Sequence, residues 1–85
     1  MAKLVMIEWV DSARPTPDWV HLSEYVKKSS IKCISVGFLV HDGKKVKALA
    51  QNMGDVKSKS NIQACGIIHI PACCISKISD LKVTE

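Results

Sequence analysis

Residues 33–51, CISVGFLVHDGKKVKALAQ, limit what this chain can fold into more than any other stretch. Their side chains alternate with a period of two, placing Ile34, Val36, Phe38 and Val40 on one face and Cys33, Ser35, Gly37, Leu39 and His41 on the other. Asp42–Gly43 follows, a dipeptide whose glycine supplies the positive φ of a tight primed turn. The return strand, KVKALAQ, turns Val46, Ala48 and Ala50 inward and leaves Lys45, Lys47, Leu49 and Gln51 on the opposite side. A β-hairpin is therefore the fixed point around which the remaining residues must pack.

The flanking segments extend this hairpin to five strands. KLVMIEWV is rich in β-branched and aromatic residues at both parities and predicts a first strand covered on both faces. It ends at DSARPTP, where Pro15 and Pro17 cannot donate to a ladder. Thr16 as N-cap and Pro17 as first helical residue predict a short helix over 17–28, with Trp19, Leu22 and Val26 on one stripe. After the hairpin, NMGDVKSKSN is a polar loop or an extension of two strands, and IQACGIIHI is a fourth strand with Gly66 marking a bulge or bend. ACC makes a tight turn, and ISKISDL closes the domain as a fifth strand. Residues 1–85 thus form a single domain, mainly β (α+β): a small, strongly bent, five-stranded antiparallel barrel with one short helix between strands 1 and 2.

A chain of 85 residues hides only about 60–65% of its unfolded surface, so its stability is on the order of 4–12 kcal/mol and self-association is a natural way to bury more. No apolar run reaches the roughly 20 residues that cross a bilayer, and MAKLVMIEWVDS meets Glu8 before a secretory core can form, so a cytoplasmic, membrane-free protein is expected. In that reducing setting Cys33, Cys65, Cys73 and Cys74 read as reduced core residues.

Chemistry-bearing motifs are few. Cys65, His69, Cys73 and Cys74 lack the Cys-x-x-Cys pairs of structural zinc sites, so no metal and no other cofactor is expected. His21, His41 and His69 lie on different elements, the glycines are scattered, and no nucleophile with its base stands out, so the expectation is a non-enzymatic protein. The net charge of +4 gives a modest preference for anionic partners. Lys44, Lys45, Lys47, Lys57 and Lys59 lie on one hairpin and its following loop, where they could converge on phosphate oxygens or simply guard a strand edge. Arg14, Trp19 and Tyr25 are second-tier candidates, the two rings for stacking against a base.

The pieces IEWVDS, Trp19 and Leu22, CISVGFLVHD, ALAQN and IIHIPACCISKISDL resemble a group of small phage and prophage proteins over about residues 5–81. The second half, from VGFLVHD to IPACCISKI, also looks like the bent barrel of Sm-like proteins. A strand here precedes the helix whereas Sm-like chains open with the helix, so an SH3-like barrel fits the pattern equally. The phage resemblance implies an inhibitor of host defence: a homo-oligomeric sponge that sequesters an anionic nucleotide-type signal in the bacterial host cytoplasm. The alternative is an Sm/SH3-like module that binds RNA or a host protein.

Overall fold

The computed structural model describes residues 2–13, 15 and 17–84. Its strands are β1 Leu4–Asp11, β2 Ile31–Asp42, β3 Val46–Gly54, β4 Gln63–Pro71 and β5 Ile75–Asp80. Every pairing is antiparallel and the order across the sheet is β4-β3-β2-β1-β5. The mainly β, five-stranded antiparallel expectation is met.

The long strand β2 serves two ladders. Its first residues pair only with β1, from Asp11↔Ile31 to Leu4↔Phe38, and its last pair with β3, from Phe38↔Ala50 to Asp42↔Lys47. Gly37 sits at the handover, where an added Cβ would lie 2.8 Å from the Ala50 carbonyl oxygen, so only glycine lets the β3 backbone come this close. The resulting curl is visible in the β4–β5 connection. Pro71 pairs with Val46 and Ile75 pairs with Trp9, yet a single 3₁₀ turn, Ala72–Cys74, joins them. Four residue steps reach at most roughly 14 Å, so the sheet must roll to bring these places together. The Ala72 amide, donating to the Lys45 carbonyl at 2.8 Å, ties the turn to the β2–β3 connection.

The roll stops short of a barrel. β4 and β5 are the two edges of the sheet and share no ladder, which corrects the expected closed form. The single turn between them carries the chain from one side of the roll to the other, and β5 pairs five of its six residues with β1.

Val5, Ile7, Leu49 and Ile70 form the buried centre, with Trp9, Leu39 and Ile75 packed against it. Leu49 therefore faces the core, and Ala48 and Ala50 lie buried on the other face, the reverse of the expected assignment. The register shift between Leu39 and His41 also changes the phase of β2, so that His41 pairs with Ala48 and joins the face of Phe38. β1 is fully covered only at Val5 and Ile7; Leu4, Met6 and Glu8 on its other face are half-buried. Trp9 satisfies its indole N–H by donating to Ser35 Oγ at 3.0 Å.

Local differences have equally local causes. The only left-handed glycine among the described residues is Gly66, so Gly43 does not form a primed turn; its amide instead donates to the Val46 carbonyl and leaves Lys44 and Lys45 at the tip. The expected helix over 17–28 is reduced to a 3₁₀ turn at Leu22–Glu24 flanked by extended backbone; its proposed cap Thr16 lies outside the described residues. A helix this short is marginal without a surface to pack on, and Trp19, Leu22 and Val26 have none here. Residues 52–54 and 63–65 prolong the β3–β4 hairpin, and Asp55, with a φ of 51°, opens the tip. Gly66, with a φ of 69°, supplies the expected irregularity in β4, where paired positions skip Gln51 and Gly66. All four cysteines are free, but Cys65 and Cys73 are exposed and Cys33 and Cys74 half-buried, which corrects their reading as core. Cys65 lies on an edge strand where only Ile70 is buried.

The small centre makes a sharp expectation. Ile7→Ala should lower the unfolding free energy by about 2–5 kcal/mol in urea titrations, because a fully buried side chain leaves a cavity. Val83→Ala, at an exposed position near the chain end, should stay within about 0.5 kcal/mol.

Candidate functional site

The five lysines do not come together. Lys44 and Lys45 occupy the β2–β3 tip and Lys57 and Lys59 the β3–β4 tip, at opposite ends of β3. An extended strand of that length spans roughly 25 Å, more than one phosphate group can bridge. The convergence expected from their closeness in sequence is therefore not found within one chain. All four are exposed, and none is among the ion pairs of the described residues. Lys47 is different: it is half-buried, points back along the hairpin and is engaged by the Asp42 carboxylate and the Gly43 carbonyl. That contact, first through the hydrogen bond and then through the ammonium charge, holds the Asp42 carboxyl below its usual value.

The second-tier residues sit on another part of the molecule. Trp19 and Tyr25 lie in the 12–30 segment that leaves the sheet after β1 and returns to β2, and both rings are exposed. Arg14 belongs to the same segment and lies outside the described residues.

Three clefts are larger than the rest described, and none is lined by a predicted lysine. The first, about 420 Å³, lies at the root of the 12–30 segment between Asp11, Ser12 and Ser30 on one side and Cys73, Cys74 and Ser76 on the other. A second, about 460 Å³, runs over Trp9, Cys33 and Ile34 between Glu8 and Lys32. A third, about 270 Å³, opens where β2 parts from β3, between Val36, Gln51 and Gly66. The first carries a carboxylate and no cation, a poor lining for an anion, and in the second Glu8 offsets Lys32.

Two groupings emerge only from the tertiary structure. Cys73 and Cys74 bring their sulfurs to 4.0 Å in the turn before β5, and this contact, with partial burial, pushes the Cys74 thiol up from its usual value. His41 and His69 pair with Ala48 from either side and so flank it on one sheet face. The first was open to sequence reading as an adjacent pair; the second depends on a register shift that no spacing reveals. Among the described residues no cluster of three His, Cys, Asp or Glu side chains could hold a metal ion, and no helix is long and apolar enough to cross a membrane.

No family model, no curated protein and no solved structure matches this chain. The geometry of the chain itself is the basis for any functional reading.

The Asp42–Lys47 contact carries a pH signature. Because Asp42 is held below its usual pKa of 3.8 in the folded chain, the contribution of the pair is present above that value and fades as pH falls through the lowered one. In a carboxyl-carbon NMR titration, Lys47→Ala should return Asp42 to the ordinary carboxylate range, while Lys44→Ala leaves it lowered.

Proposed function

We propose that this chain is a non-enzymatic, homo-oligomeric binding protein for a nucleotide-type anion, built on a rolled sheet of Sm-like or SH3-like character. The observation that carries the reading is the pair of lysine groups, Lys44 with Lys45 and Lys57 with Lys59, exposed and without carboxylate partners among the described residues at the two ends of β3. Lysines used only to balance neighbouring acids would be found in ion pairs; these are free to meet phosphate oxygens as point charges. Their separation rules out one small ligand held by both groups in a single chain. It favours a site shared between subunits, where the tip of one chain meets the opposite tip of another.

The strand order is in keeping with a rolled sheet of Sm-like or SH3-like character. In the order β4-β3-β2-β1-β5 the first four strands form a meander, and one 3₁₀ turn carries the chain across the roll to place β5 beside β1. In biological terms, such a protein would act as the sponge that the phage resemblance implies, lowering the free concentration of a host defence signal in the cytoplasm without altering it chemically.

Titration calorimetry with a cyclic dinucleotide and with ADP-ribose tests the reading. One of the two should bind at fixed stoichiometry per subunit, and Lys44→Ala/Lys45→Ala and Lys57→Ala/Lys59→Ala should each weaken it at least tenfold, while the exposed Lys82→Ala has little effect. Binding that survives both double variants, or no binding of either compound, overturns the proposal. An RNA-binding module would instead bind an oligoribonucleotide with affinity falling steeply as salt rises, because several counterions are released.

A further inference from the structure

Two sets of apolar side chains stand exposed, one on residues 17–28 and one on the outer face of the sheet. Trp19 and Leu22 are almost wholly exposed, and Tyr25 and Val26 largely so. Among the described residues the hydrogen bonds of 17–28 stay within the segment: Glu24 to His21 and Tyr25 to Leu22. The second surface follows from the register. Ile34 and Val36 of β2 share a face with Ala50 and Ile67 of β3 and β4, opposite the buried centre, and Ile34 is 67% exposed on it. Ile34 and Val36 are the open part of this face, whereas Ala50 is buried among its neighbours.

The size of the exposure says what kind of partner is missing. A compact monomer of 9.3 kDa presents about 5,000 Å² to solvent, whereas this chain presents 7253 Å². Its radius of gyration is 17.4 Å, where a compact chain of this length has about 12 Å. The excess, on the order of 2,000 Å², is what each subunit buries in a large obligate homodimer. Both halves of the contact are already in this one sequence, so a second copy supplies the occupant without any further partner. Charges of both signs border each surface, Glu8, Lys32 and Lys77 beside the strip and Asp18, Glu24 and Lys27 beside the apolar residues of the segment, so pairing across the contact leaves neither sign unopposed.

We infer that residues 12–30 form an arm that lies across the Ile34–Val36 strip of a second copy, in a reciprocal two-fold exchange. Each chain gives one arm and receives one, which closes the assembly at two subunits and leaves no unfilled strip to recruit a third. Trp19 and Tyr25 then anchor subunits rather than stack on a ligand. The inference rests on the self-association in the functional reading above, but not on its ligand.

Light scattering on the eluting full-length protein, at tens of micromolar, provides the test. The wild-type chain should run at twice its subunit mass, and Trp19→Ser/Leu22→Ser should run at the single mass with an unchanged β-sheet circular dichroism spectrum, because neither side chain is in the buried centre. In a mixture of labelled and unlabelled subunits, isotope-filtered NMR should show contacts from the Trp19 ring to the methyl groups of Ile34 or Val36 between chains. A wild-type dimer that the arm variant leaves intact overturns the arm exchange while sparing self-association. A wild-type monomer overturns both, and Trp19 contacts found only within one chain show that the arm folds back on its own sheet and end the inference.

Discussion

The close approach of β3 to β2 at Gly37 is the constraint on which the rest of the structure depends. It lets one twelve-residue strand pair first with β1 and then with β3, and the bend between the two ladders turns a flat meander into a roll. Because the sheet rolls, Val5 and Ile7 from β1 meet Leu49 and Ile70 from β3 and β4, strands that would lie far apart in a flat sheet. The same roll brings the end of β4 close enough to the start of β5 for a single turn to join them. A side chain at residue 37 would press on the Ala50 carbonyl and force these contacts apart.

A core of this size leaves much of the apolar surface outside it. Among the described residues only six apolar ones are fully buried, and many large ones remain exposed on the outer face and on the 12–30 segment. Isolated apolar residues are ordinary on protein surfaces, but contiguous ones mark places of contact. The lysine groups obey a related logic. Each is too far from the other to act on one ligand within a chain, so assembly is the step that could turn dispersed charge into a site. Self-association thus links the two proposals, one concerning how subunits hold together and the other what they hold.

The separation of the lysines also shows how sequence proximity misleads. Lys44 and Lys57 are thirteen residues apart, close enough in the chain to invite a common patch, yet a strand lies between them and strands are the most extended way to spend residues. Lys47 reads like its neighbours but folds back onto Asp42, a contact set by the tip of the hairpin rather than by charge pattern. The helix failed for a comparable reason: its stripe of Trp19, Leu22 and Val26 is real, but a stripe stabilises a helix only where a surface receives it.

What the sequence by itself determined are the features that depend on neighbours along the chain. Alternation in 33–39 and 46–50, the break at Pro15 and Pro17, the irregularity at Gly66 and the turn at ACC were all legible because backbone preference and side-chain parity are local properties. Tertiary structure alone decided which face of β3 is the inside, how far the roll goes, and which charged groups share a neighbourhood. Leu49 rather than Ala48 faces the core because it pairs with Leu39, on the face of β2 that the buried Val5 and Ile7 share. Such phase relations are made by hydrogen bonds between distant segments, and a period of two reads the same whichever face is buried.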